Sequence, residues 1–255
     1  MIGINPLAIA SIPALEVVDI DKKDIALPVV TYFHGFTSAK EHNLPLAYLL
    51  AEKGFRVMLP DSKWHGQREN GASTLKKQLS FFEIVLQNVA DLETIKNYLQ
   101  KNQLMKGDNF GIAGTSMGGI TTCAALTKYP WIKAAACLMG SPKLSAYAED
   151  LIAEVGKNMP LPISDAEIRG ILVELSKIDL SKQPEKLQDR PLLFWHGDAD
   201  PVVPFNHSSG FYKEVSMQYG DQEKIHFIKE EKRGHKVSRF AILETVDWFV
   251  THLQS

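Results

Sequence analysis

The stretch GIAGTSMGG, residues 111–119, sets one hydroxyl among residues with almost no side chain, directly after an apolar run and directly before a helix-like one. Its centre, Gly114-Thr115-Ser116-Met117-Gly118, fits G-x-S-x-G, in which a strand turns sharply into a helix and lifts the serine oxygen above a sheet. So tight a turn brings backbone into contact with the positions flanking the serine, where a Cβ would collide. With glycine and serine each near ~7% of residues, the bare pattern arises by accident in roughly one chain of this length in ten. The rest of the sequence has to decide what it means.

Around that turn, apolar runs of strand length alternate with longer segments of helical period, the pattern of a mostly parallel sheet covered on both faces. Strands are expected near 14–20, 28–34, 55–60, 109–114, 134–139, 191–196 and 224–229. A helix in LPLAYLLAEKG stops at Gly54, and 75–101 reads as one long helix with Leu79, Phe82, Val85, Leu86, Val89, Leu92, Ile95 and Leu99 on one stripe. Further helices are expected over 117–129, 205–219 and 237–253. The fold class is α/β, as one domain over 1–255. Residues 141–190 interrupt the alternation with two or three helical patterns and no convincing strand. An insertion of that length at the C-terminal side of the sheet, where α/β folds keep their sites, is expected to be a small helical lid.

The chain has 255 residues, 45% hydrophobic and 23% charged, with a formal charge of −2. That balance is ordinary for a globular domain with a sizeable core. It carries no clustered basic footprint for nucleic acid. Mixed charged stretches such as Lys76-Lys77 and Glu230-Glu231-Lys232-Arg233 read as solvated surface. No stretch approaches the ~18 apolar residues of a membrane span, and the first residues have no positive region before their modest apolar part, so a cytoplasmic protein is expected. Cys123 and Cys137 read as small buried hydrophobes. The motifs H-E-x-x-H, C-x-x-C, G-x-x-x-x-G-K-[ST] and G-x-G-x-x-G are missing, so no metal and no organic cofactor is expected.

A serine hydroxyl is a poor nucleophile near neutral pH, and a base must take its proton. His235, in KRGHKVSRF, sits in a short loop between the last expected strand and helix, at the rim where Ser116 emerges. The other histidines are placed less well: His34 and His196 at strand ends beside glycine, His65 in a turn, His226 inside a strand, His42 and His207 at the surface or a helix entry. An acid must orient the imidazole, and HGDADPVVP offers Asp198 and Asp200 in one loop, either of which could instead form the turn. Two backbone N–H groups are needed for a developing oxyanion. Met117, opening its helix, offers one, and Phe36 in His34-Gly35-Phe36, after the strand PVVTYF, offers the second. Asp61, His65 and Gly66 in PDSKWHGQRENG read as a hydrogen-bonded turn, with binding of a group at the rim of the sheet as the alternative.

Taken in order, YFHGFTSAK, LPDSKWHGQR, GIAGTSMGG, FWHGDADPVVP and RGH resemble the α/β-hydrolase superfamily. They are most similar to its small bacterial carboxylesterases of the YjfP/YitV type, related to dienelactone hydrolases and to the catalytic domain of prolyl oligopeptidases. The resemblance runs from about Val29 to the C-terminus. It implies a nucleophile at Ser116, a base at His235, and an acid at Asp200 rather than Asp198. It also implies the α/β-hydrolase fold. Dienelactone hydrolases proper use cysteine as nucleophile, so lactone specificity does not carry over, and no room is left for the propeller of prolyl oligopeptidases. Aspartate at the nucleophile position, which haloalkane dehalogenases require, is absent.

The expectation is therefore a serine hydrolase that cleaves esters of small to medium acyl groups through Ser116, His235 and Asp200, with Phe36 and Met117 as oxyanion donors. Leu151, Ile152, Val155, Leu161, Ile168, Ile171, Leu172 and Leu175 would line the lid. An acyl-CoA thioesterase is the near alternative, and a non-catalytic binding protein on the same scaffold the remote one. The expected partner is a small ester or thioester, and the expected state a monomer or small homo-oligomer.

Overall fold

The computed structural model describes residues 1–158 and 164–254. Eight strands form one sheet: β1 (Ile2–Ile9), β2 (Ile12–Asp19), β3 (Leu27–Phe33), β4 (Arg56–Pro60), β5 (Met105–Thr115), β6 (Ala134–Leu138), β7 (Leu192–Gly197) and β8 (Ile225–Glu230), in the spatial order β1-β2-β4-β3-β5-β6-β7-β8. From β4 to β8 every pair is parallel, and β2 runs antiparallel to both its neighbours. Parallel strands are covered on both faces and so read as unbroken apolar runs. Every residue of β3, β4, β6 and β7 is buried.

The helices are α1 (Leu44–Glu52), α2 (Thr74–Leu79), α3 (Phe81–Lys101), α4 (Met117–Lys128), α5 (Leu144–Asn158), α6 (Asp165–Ser176), α7 (Phe205–Ser216) and α8 (Arg239–Leu253). Two cores flank the sheet. On one face Ile84, Val85 and Leu92 of α3, Ile120 of α4 and Phe211 of α7 pack on Phe110, Ile112 and Phe194. On the other, Leu46 and Leu50 of α1 and Trp248 and Phe249 of α8 pack on Val30, Val57 and Trp195. This is the α/β-hydrolase fold expected from the sequence. No helix among the described residues is long and apolar enough to cross a membrane.

Three expectations need correction. The sequence suggested no strand before residue 14, yet β1 forms the sheet edge and hairpins onto β2 through Ala10, which takes φ +53°. The long helix over 75–101 is broken at Ser80, with φ −98° and ψ 12°. Leu79 and Leu86 are exposed and leave the buried stripe, while Phe81, just after the break, packs against Phe36 and Tyr147. Glu230 is not simply solvated, since it accepts from Trp195 Nε1 at 3.1 Å, Ser238 Oγ at 2.6 Å and Arg233 Nε at 2.9 Å. Cys123 and Cys137 are free and buried.

The strand order positions the site. The chain leaves β3 for β4 on one side and then returns to β5 on the other side of β3. A crevice opens where the order reverses, outside the C-terminal ends of β3 and β5. The loop after β3 and the turn after β5 are those carrying Phe36 and Ser116.

Candidate active site

Ser116 stands between β5 and α4 with φ +54° and ψ −113°, a backbone conformation that L residues rarely adopt. The turn is held by Ser116 N–H donating to Leu138 O at 2.8 Å and by Ile120 N–H donating to Ser116 O at 2.9 Å. Its glycines are steric necessities. A Cβ on Gly114 would lie 2.3 Å from the carbonyl carbon of Gly118, and one on Gly118 would lie 2.0 Å from Phe33 O.

The loops after β5, β7 and β8 bring three expected residues together. Ser116 Oγ lies 2.9 Å from His235 Nε2, and His235 Nδ1 donates to Asp200 Oδ2 at 2.7 Å. Nδ1 must carry its hydrogen because its partner is a carboxylate, which leaves Nε2 free to accept from the serine. Asp200 also accepts from the amides of Val202 at 2.8 Å and Val203 at 3.1 Å, and from His196 Nε2 at 3.2 Å. Burial alone would raise its pKa, but the hydrogen bonds from His196, His235 and the two amides outweigh it and hold the carboxyl well below the usual range. Asp198, the alternative acid, is exposed, accepts from Lys232 N–H at 2.7 Å and faces Lys229 at 3.7 Å. It closes the turn.

A second serine, histidine and acid also meet. Ser141 Oγ is 3.0 Å from His207 Nδ1, and His207 Nε2 is 3.3 Å from Asp150 Oδ2. Ser141 is wholly buried, and its hydroxyl is engaged with the backbone of Lys143. This set fastens α5 to α7 and offers no accessible nucleophile. His207, expected at the surface or a helix entry, does lie in the first turn of α7, but it is buried because its ring bridges two elements.

Phe36 lies in a braced loop. A Cβ on Gly35 would sit 3.6 Å from Ser116 Cβ, so this loop runs directly alongside the serine. His34 Nδ1–H donates to Gly35 O at 2.8 Å while its Nε2 accepts from Ser62 N–H at 3.0 Å. His65 Nδ1–H donates to Lys63 O at 2.8 Å and its Nε2 accepts from Thr37 N–H at 3.1 Å. Both rings must be neutral to accept there, and burial pushes the pKa of His34 down to about 4 and that of His65 in the same direction. Beneath them Asp61, expected in a turn, is fully buried and accepts from Lys40 Nζ at 2.6 Å and from the amides of Lys40 and Gln67. The buried Lys40 ammonium is the partner that sequence reading missed, since lysine ordinarily signals surface. Met117, the other expected donor, is the first residue of α4, where N–H groups have no partner within the helix.

Two cavities bear on the site, one of them bordering it and the other reached only through a row of aromatic rings. One of about 290 Å³, on the face of α1 and α8, is walled by His235 and Thr115. The other, about 380 Å³, lies between α2, α3 and α6 and is lined by Leu79, Phe82, Leu86, Ile171 and Leu175 with Glu83 and Glu174 at its edge. The rings of Phe36, Phe81 and Phe82 lie in a contiguous chain leading toward it. Of the side chains expected to line a lid, Ile171 and Leu175 border this cavity, whereas Leu151 and Leu172 pack against the main core. Ile152 and Ile168 are half-buried. Leu161 and the Val155 side chain lie outside what is described.

The family model for the prolyl oligopeptidase family matches residues 46–255. YitV of Bacillus subtilis strain 168, provisionally named an esterase, is 44% identical over 99% of this chain and 100% of its own length. The Escherichia coli K12 esterase YjfP is 29% identical over the same shares of the two chains. Among solved structures, TT1662 from Thermus thermophilus superposes with a TM-score of 0.77 at 18% identity, over 100% of this chain and 99% of that one.

Proposed function

Because the chain belongs to the prolyl oligopeptidase family, we propose that it is a serine hydrolase that cleaves carboxylic esters of small to medium acyl groups. The observation that carries this reading is the continuous path from Ser116 Oγ through His235 to Asp200, with spacings of 2.9 and 2.7 Å. The full-length match to two proteins named as esterases supports esters as the substrate class.

Ser116 Oγ attacks the ester carbonyl as His235 Nε2 takes its proton. The amides of Phe36 and Met117 hold the oxyanion, each contributing about 3–4 kcal/mol to lowering the barrier. Asp200 faces the imidazolium that forms and keeps Nδ1 protonated. The tetrahedral intermediate then expels the alcohol, which receives the proton from His235. Water, deprotonated by His235, releases the acyl group from the serine. The acyl portion lies under α5 and α6, which act as a lid, and runs past Phe36 and Phe81 toward the larger cavity.

The test is incubation of the folded protein with a fluorophosphonate, followed by peptide mapping, alongside hydrolysis of 4-nitrophenyl acetate, butyrate and octanoate and of acetyl-CoA. Labelling at Ser116 with ester hydrolysis that Ser116→Ala abolishes is expected. No adduct and no hydrolysis would overturn the reading. Preference for the CoA thioester would move the assignment to thioesterase.

A further inference from the structure

The cavity on the α1/α8 face differs in chemistry from the one under α6. Its floor holds Tyr32 and Thr115, whose hydroxyls are hydrogen-bonded to each other. Two hydroxyls so paired use one hydrogen between them and leave the second to face a ligand. Burial pushes the Tyr32 phenol far up, so it remains a donor. The exposed His42 and Lys236 border it, and Leu46, Met139, Val237 and Ile242 add apolar lining. No carboxylate lines the cavity, and no described carboxylate lies within ion-pair distance of Lys236 Nζ. The cavity under α6, by contrast, is bordered by Glu83 and Glu174.

Position assigns this pocket a part of the substrate. His235 must hand its proton to the leaving oxygen, so the alcohol portion leaves on the side of its ring, and His235 lines this pocket. At about 290 Å³ it suits one ring or a short branched group rather than a long chain.

We propose that this pocket receives the alcohol portion of the ester and selects alcohols bearing an anionic group, a carboxylate or a phosphate, which pairs with Lys236. The inference rests on the serine-hydrolase reading. In the step the acyl C–O bond breaks, the alcohol oxygen takes the proton held on His235 Nε2, and the anionic group leaves intact on the freed alcohol.

Three acetate esters with one acyl group test it: 3-acetoxybenzoate, 3-acetoxyphenyl phosphate and the neutral 3-acetoxybenzamide, each rate divided by that with hydroxide. A new partly exposed charge pair should make kcat/KM for an anionic ester about tenfold higher than for the amide at low salt, through KM. Lys236→Met should bring that ratio near one and Lys236→Arg should keep it. The better of the two anionic esters identifies the group. Equal rates on all three, with hydrolysis still dependent on Ser116, would overturn the proposal and leave the esterase reading standing. Hydrolysis of none, with no labelling of Ser116, would end both.

Discussion

His196 and His235 donate to the same oxygen, Oδ2 of Asp200, at 3.2 and 2.7 Å. His196 has no exposed side-chain surface. Its Nε2–H is shared with Val203 O at 3.1 Å, and its Nδ1 meets Ser208 Oγ at 2.7 Å. The carboxylate that orients the proposed base is therefore itself oriented by a second imidazole, which touches neither the serine nor the space above it. Losing one such hydrogen bond is worth about 1–1.5 kcal/mol. His196→Gln is expected to lower kcat for 4-nitrophenyl acetate roughly tenfold with KM little altered, and to shift the low-field resonance of the His235 Nδ1 proton. An unmoved resonance with an equal fall in folded fraction would make His196 a packing residue only.

At Ser116 the backbone and the hydroxyl have opposite interests. The positive φ there costs on the order of 1–3 kcal/mol for any L residue. Ser116→Ala keeps that cost and removes the oxygen, so kcat should fall by on the order of 10⁶ with stability nearly constant. Ser116→Gly should be equally inactive yet about 1 kcal/mol more stable than Ser116→Ala, or about 2–4 °C in Tm. Differential scanning calorimetry of the two variants reads the difference.

His34 links pH to stability. Its folded pKa of about 4 lies below the ordinary 6.5, so between those values the unfolded chain binds a proton that the folded one refuses. The contribution is present in full above pH 6.5 and is lost as pH falls toward 4, on the order of 3 kcal/mol across the window. Urea unfolding at pH 7.5, 5.5 and 4.5 should find the advantage of the native protein over His34→Gln shrinking by most of that amount.

The Lys40–Asp61 pair beneath the Phe36 loop has both side chains almost wholly out of solvent. Lys40 also meets Glu41 at 2.8 Å, and together the two carboxylates raise the pKa of its ammonium despite the opposing effect of burial, which is the largest single influence. Removing the buried carboxylate leaves the Lys40 ammonium with the half-exposed Glu41 alone, so Asp61→Asn is expected to cost about 3 kcal/mol. The double substitution Lys40→Met with Asp61→Asn should cost less than Asp61→Asn alone, as read from urea midpoints.

Ile171, on α6, is exposed into the larger cavity. Filling that space with Ile171→Trp should lower kcat/KM for octanoate esters several-fold against acetate, since each buried CH₂ is worth about 0.8 kcal/mol. An unaltered chain-length profile would show that the acyl group does not lie there.

How much of this the sequence discloses depends on how far each signal reaches. Ser116, Phe36 and His235 stand beside glycines at the ends of apolar runs, so a short window marks both the residue and its place at the rim. Asp200 against Asp198 is not decided by the residues of such a window, because both stand in one loop; the family resemblance favours Asp200, and the fold turns that carboxylate toward His235. β1 escapes notice because an edge strand alternates half-buried and exposed residues, with Asn5 and Pro6 in its middle. The break at Ser80 escapes because the apolar period continues through it. His196, His207 and Lys40 look idle in the sequence. Their partners, Asp200 and Val203, Ser141 and Asp150, and Asp61, are brought to them only by tertiary folding.

Ser116 and His235 are separated by 119 positions, and the loop bearing the histidine follows β8, the last strand in the sequence. A chain growing from its N-terminus therefore carries the serine and its neighbouring amides through nearly half of translation without the proposed base beside them. Reactivity arrives late, when the final strand and α8 leave the ribosome and dock, so a nascent or clipped polypeptide ending near Gly197 would be silent toward any ester it met.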